Sequence, residues 1–264
     1  MNPFLGELFI GHWPDKSNNK SLGDTVLISE QVSHHPPITA YYIKNEKNGI
    51  SLQGHNGQKS GFTGRTLTVK QVGQALLQVE KFNESFLITF PTLMMEGLIY
   101  ASPYVELNGI SFIQSSSGYI SKIEYTGKGW VSGKKNSFKA TLAKNSDPKN
   151  ILYTVSGLWT DSSTIVDNRT KVEKPFWSAK SNPPQHISIK PIEEQGEWES
   201  RRKWYKVAQA LAAGDYELVS QEKSKIENEQ RQMRKDEKEK GIEWQRKYFQ
   251  WNTNDMQVKE LVSF

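Results

Sequence analysis

Residues 30–37 read Glu-Gln-Val-Ser-His-His-Pro-Pro, a string that sets two imidazoles side by side against a Pro-Pro corner. Imidazole titrates near neutral pH and offers ring N–H donors, so two that converge make a natural seat for a phosphate. In a regular strand His34 and His35 would face opposite ways. Pro36 fixes its own φ and holds His35 extended, so the strand suggested by residues 25–32 must stop or turn here, and a bend can aim both rings at one acceptor. A histidine pair at a strand end is also a common surface feature, and the pair alone leaves both readings open. A second pattern lies far along the chain. Lys223, Glu227 and Arg231 are spaced by four, which puts them on one face of a helix, each about 40° round from the last. That spacing fits equally a solvent-facing ladder of weak i,i+4 ion pairs.

The elements that must position these residues are of two kinds. From residue 5 to about 176 the chain is a succession of short runs rich in Val, Ile, Thr, Phe and Tyr, cut by turn signals. Asn48-Gly49 and Asn108-Gly109 suit the positive φ of type I′ hairpin turns. Many consecutive strands without helices between them predict an antiparallel meander closing into a barrel, which removes exposed edges. Residues 76–79, 86–90 and 110–113 are apolar on more than one face, as expected of strands that line a cavity on one side and are covered on the other. After Pro175 the composition changes: Pro183, Pro184 and Pro191 mark an extended crossing, and helical periodicity predicts helices over 198–213 and 215–240, ended by Gly214 and Gly241. The expected class is mainly β with C-terminal helices (α+β). Residues 1–180 are expected to form the β-barrel core, and 181–264 the crossing and a helical subdomain.

Composition narrows the function classes. The 264 residues include no cysteine, which excludes disulfides, thiolate catalysis and Cys-based zinc sites. Mean hydropathy is −0.67, and no run approaches the ~20 apolar residues of a membrane span. Any membrane contact is therefore peripheral. The net charge of +5 is local, because seven lysines from Lys122 to Lys149 face only Glu124 and Asp147. Such a region suits an anionic membrane surface, where each basic residue contributes roughly 1 kcal/mol, and it equally suits solvated strand faces. Nucleic acid is not expected, since no recognition motif accompanies the charge. An enzyme is not expected either. Ser33 and His34 are adjacent on an extended segment and diverge, there is no Gly-x-Ser-x-Gly elbow, and the glycines and lysines of 129–135 lack phosphate-loop spacing. The histidines His12, His34, His35 and His55 show no metal-ligand spacing, so neither a metal nor a cofactor is expected.

The whole octapeptide is far more specific than the histidine pair. It resembles the signature of the oxysterol-binding protein family, in the lipid-binding domain. Asn2-Pro3-Phe4-Leu5-Gly6-Glu7, the ladder Lys223, Glu227 and Arg231, Val69-Lys70-Gln71 and the stretch Gly-Ile-Glu-Trp-Gln-Arg at 241–246 extend the resemblance through most of the chain. It is most similar to the short fungal members that exchange a sterol for phosphatidylinositol 4-phosphate. The resemblance implies a large, near-closed antiparallel β-barrel enclosing a lipid tunnel. It implies a headgroup site of His34, His35, Lys223, Glu227, Arg231 and Asn2, with the two cations meeting phosphate oxygens and Glu227 orienting a neighbour or accepting from an inositol hydroxyl. It implies that Asn56 and Gln71 hold the hydroxyl of an ergosterol-like sterol, although His55 stands where the family has Tyr, and His55-Asn56-Gly57 also reads as turn chemistry. The implied partners are a sterol, phosphatidylinositol 4-phosphate and anionic membranes. The implied protein is a cytoplasmic monomer, peripherally associated with Golgi or endoplasmic reticulum membranes. A sensor that binds the headgroup without transfer and a carrier of phosphatidylserine instead of sterol share the same mouth residues. The family's lid and N-terminal helices precede the level of Asn2 and are not in this sequence, so the 264 residues alone are expected to carry lipid poorly.

Overall fold

A computed structural model describes residues 3–127 and 133–250. Among them, thirteen antiparallel strands precede three α-helices, as the composition break after Pro175 predicts. They form two compact units. One joins the beginning of the chain, up to Lys47, to the stretch from His186 onward, and the other is Asn48–Gln185.

In the first unit β1 (Leu8–Trp13), β2 (Thr25–His34) and β3 (Pro37–Asn45) form an antiparallel meander. Strand β2 runs two residues beyond the expected 32. His34 pairs with Pro37, so only His35 and Pro36 make the turn, and the His35–Pro36 peptide is cis. Pro37, which has no N–H to give, opens its strand, a position that tolerates proline. The helices are α1 (Ser200–Lys203), α2 (Tyr205–Ala212) and α3 (Tyr216–Glu239). The single helix expected over 198–213 is interrupted at Trp204 (φ −89°, ψ 6°), whose indole N–H donates to Glu7 at 2.9 Å. Gly214 (φ 74°) and Gly241 (φ 65°) stand just past the ends of α2 and α3 in the left-handed conformation that glycine adopts without a Cβ clash. Asp215 caps α3 by accepting from the Leu218 N–H at 2.9 Å. The apolar centre is Phe4, Val207 and Ile226, and Phe4 lies 5.8 Å from the Trp198 ring and 6.3 Å from that of Trp204. Burying each such side chain stabilises by about 1.5–3 kcal/mol, which fastens the segment before β1 onto α2 and α3.

The second unit runs through β4 (Ile50–Phe62), β5 (Leu67–Val79), β6 (Glu84–Thr89), β7 (Thr92–Glu96), β8 (Tyr104–Ser115), β9 (Tyr119–Tyr125), β10 (Ser137–Lys144), β11 (Tyr153–Leu158), β12 (Ser162–Asp167) and β13 (Glu173–Ser178). Strands β6 and β7 both pair with β5 and with β8, as one line of strand broken at Phe90-Pro91. The Leu76–Leu87 cross-strand pair is buried between β5 and β6. Two turn expectations are corrected here. Asn108-Gly109 lies inside β8, where Gly109 (φ 90°) bends the strand as its pairing passes from β7 to β9. Of Asn48-Gly49, only the glycine takes a positive φ (57°), so the turn is not type I′, which needs two. The dipeptide reports a tolerance for positive φ, and a bend within a strand uses that tolerance as readily as a hairpin does.

Gly73 (φ 146°) faces Asn56 across the β4–β5 ladder, and a Cβ there would sit 2.0 Å from the His55 carbonyl oxygen. Gly73→Ala must therefore push the two strands apart, at an expected cost of ~2 kcal/mol or more. Urea unfolding checks this, and an unchanged midpoint would show that the ladder relaxes freely.

Candidate functional site

The first unit contains a cavity of about 730 Å³. Its apolar lining is Phe4, Leu5, Val32, Trp204, Ile226 and Trp244, and its polar lining includes His34, His35, Glu227, Gln230, Arg231 and Arg234. The tight turn resolves the alternation that would have separated the two imidazoles: their ring centroids are 4.6 Å apart, edge to face at 67°, and both rings are exposed. Helix α3 supplies residues 226, 227, 230, 231 and 234, one stripe of the helix.

Of the predicted headgroup residues, His34, His35, Glu227 and Arg231 meet at this cavity. Lys223 sits one turn back on α3, with Nζ 3.4 Å from a Glu227 oxygen, and does not line it. The other Glu227 oxygen is 3.6 Å from Arg231, whose guanidinium also donates to Asn228 Oδ1 at 2.5 Å. These are exposed pairs, contributing no more than about 1 kcal/mol each. The fold does not depend on them, and their charges are open to a ligand. Asn2 lies outside the described residues.

The first half of the octapeptide is scaffolding. Glu30 is 1% exposed, and its carboxylate accepts from the backbone N–H groups of Lys247 (2.8 Å) and Tyr248 (2.9 Å), holding down the segment that carries Trp244. Gln31, equally buried, donates to the Ser33 carbonyl at 2.8 Å and accepts from the Thr39 hydroxyl at 2.5 Å, clamping the base of the histidine turn. Glu7 is buried too. It accepts from the Phe4 N–H (3.1 Å), the Ser200 hydroxyl (2.6 Å) and the Trp204 indole (2.9 Å), which ties the entry to β1 onto α1 and α2. Trp244 packs on Gly6, where an added Cβ would lie 3.4 Å from the indole. Sequence reasoning missed Glu7, Gln230, Arg234 and Trp244. A signal was present for two of them, because Gln230 and Arg234 follow Glu227 by three and seven residues, the repeat of a single helix face.

Asn56 and Gln71 lie in the second unit, within β4 and β5 and not at a turn. The Asn56 amide donates to Gln71 Oε1 at 3.2 Å, and Gln71 donates to the Pro91 carbonyl at 2.9 Å, bridging the break between β6 and β7. Asn56 Oδ1 is buried with no hydrogen-bond partner among the described residues. Those residues also hold no group of three or more side chains able to bind a metal ion, and no helix long and apolar enough to cross a membrane.

A strand-rich chain with a cavity lined by apolar side chains together with two histidines and two arginines belongs to the class of lipid-binding proteins, not enzymes. The family model of the oxysterol-binding protein matches residues 1–264, and the chain belongs to that family. It is 50% identical to Protein kes1 of Schizosaccharomyces pombe over 99% of this chain and 67% of that protein. It is 46% identical to Protein KES1 of Mycosarcoma maydis over 100% of this chain and 68% of that protein. The fold matches the Osh1 ORD domain solved in complex with ergosterol (TM-score 0.77, 19% identity, 97% of this chain and 66% of that one). It also matches the Osh3 ORD of Saccharomyces cerevisiae solved in complex with PI(4)P (TM-score 0.69, 24% identity, 95% and 66%). The chain thus spans about two thirds of the length of these relatives.

Glu30→Ala would release the segment that carries Trp244. We expect a loss of about 2 kcal/mol, since hydrogen bonds to a charged group contribute roughly 1.5–3 kcal/mol, with faster amide hydrogen exchange at Lys247 and Tyr248. Unchanged protection of those two amides would contradict the anchoring role.

Proposed function

We propose that the chain binds the headgroup of phosphatidylinositol 4-phosphate in this cavity and exchanges that lipid for a sterol between membranes. The observation that carries the reading is that His34, His35 and Arg231 line the same 730 Å³ cavity as Phe4, Leu5, Val32, Trp204, Ile226 and Trp244. Imidazole N–H groups and a guanidinium match phosphate oxygens, and each charge-assisted hydrogen bond is worth about 1.5–3 kcal/mol. Glu227 keeps Arg231 and Lys223 close and accepts from an inositol hydroxyl, and Asn2 adds a further donor. The apolar wall suits the lipid part. For the sterol, the unpartnered Asn56 Oδ1 suits a molecule with a single hydroxyl donor, and Gln71 fixes the Asn56 amide. Complexes of related ORDs with ergosterol and with PI(4)P support both ligand classes. The protein works in the cytoplasm as a monomer, and the lysines from Lys122 to Lys149 draw it to anionic membranes.

Replacing His34 and His35 together by Ala is expected to abolish extraction of phosphatidylinositol 4-phosphate from liposomes. Labelled-sterol binding should be largely spared, because the polar pair for the sterol is built from β4 and β5 of the other unit. Equal loss of both ligands would show that the histidines support the fold and not a headgroup. Arg231→Glu should weaken phosphoinositide extraction more than Lys235→Glu, since beyond a Debye length of about 8 Å general attraction is screened and only contact separates the two.

A further inference from the structure

The face of α3 that lines the cavity carries two polar groups left unsatisfied among the described residues. Gln230 is 9% exposed, and its Oε1 is buried without a hydrogen-bond partner. Arg234 Nε and NH1 are likewise buried without a hydrogen-bond partner, although NH1 lies 2.9 Å from Glu237 Oε2 as an ion pair. Buried polar atoms without partners are rare in folded proteins, and each demands an account. At roughly 100° per residue, the arc of α3 that lines the cavity runs from Ile226 to Arg231, with Arg234 near its middle and Gln230 beside it. Arg231 stands at the edge of that arc and is 71% exposed, against 28% for Arg234. A charge facing less water is screened less, so the cation best placed to hold an anion inside the cavity is Arg234.

We infer that Arg234 and Gln230 form a second recognition layer for a phosphorylated polyol. Arg234 Nε–H donates to a phosphate oxygen, and Gln230 Oε1 accepts from a ring hydroxyl. The inference rests on the headgroup reading above and adds a selection to it, because a donor and an acceptor one helical turn apart distinguish a hydroxyl-bearing phosphate ester from bare phosphate. A lipid headgroup and a soluble inositol phosphate share this chemistry.

Calorimetric titration with inositol 1,4-bisphosphate and with inorganic phosphate, run beside extraction of phosphatidylinositol 4-phosphate from liposomes, tests the inference. Arg234→Gln should weaken inositol 1,4-bisphosphate binding at least about tenfold, the scale of one charge-assisted hydrogen bond. Glu237→Gln removes the ion pair but keeps Arg234 Nε–H and its charge, so it should not weaken inositol 1,4-bisphosphate binding by more than about twofold. Gln230→Leu should weaken the inositol phosphate and leave inorganic phosphate unchanged. Should Arg234→Gln fail to fold, Arg234→Lys carries the same test, since it keeps the charge and loses the Nε–H. Parent-strength binding by the Arg234 variant overturns the inference, as does a loss in Glu237→Gln equal to that in Arg234→Gln, or a loss in Gln230→Leu equal for both ligands. If the parent extracts lipid and the Arg234 variant extracts equally well, only this inference falls. Soluble binding without extraction keeps it, assigns the site to a free phosphorylated polyol and overturns the transfer reading. A parent that binds neither ligand removes both.

Discussion

A buried carboxylate, that of Glu7, holds together parts of the chain almost two hundred residues apart. It accepts from Phe4, Ser200 and Trp204, so its charge is matched by three donors from two segments remote in sequence. Removing any one donor would leave part of a buried charge unmatched, which costs more than the lost bond itself. Beside it Phe4 packs with Val207 and Ile226, and Ile226 is on the stripe of α3 that lines the cavity with the histidine turn. Glu30 repeats the device with two backbone amides of the segment after α3. The site residues make few bonds to one another. They are held mainly by what lies behind them.

This arrangement divides the octapeptide by depth. Glu30 and Gln31 are buried and spend their hydrogen bonds on the protein, whereas His34 and His35 are exposed and turn theirs outward. The string is thus buried scaffold in its first half and exposed surface in its second. On α3, likewise, Ile226 belongs to the apolar centre while Glu227 and Arg231, on the same stripe, are open to solvent.

Much of this was legible in the residues themselves. The strand succession, the helices after Pro175, their glycine ends and the turn at Pro36 follow from local φ preference and periodicity, and local signals survive folding. Asn108-Gly109 misled because positive φ is shared by hairpin turns and bends. The break at Trp204 was not visible, since the partner of its indole, Glu7, is remote in sequence. Glu7 and Trp244 were missed for the same reason: nothing local marks a carboxylate as buried or an indole as packed on a glycine. Gln230 and Arg234 were within reach, but in a helix dense with charge the residues that face a cavity look like those that face water.

The first unit joins residues before Asn48 to residues after Gln185, whereas Asn48–Gln185 is a run of strands paired with near neighbours. The consequence appears during synthesis. At roughly 5–20 residues per second the ribosome delivers the middle stretch complete, with mostly short loops to close, well before α3 exists. Until then the strands bearing His34 and His35 wait with Phe4, Leu8 and Val32 uncovered. Lys247 and Tyr248, which seal Glu30, come later still. The apolar residues that line the cavity are thus among the last in the described chain to be covered.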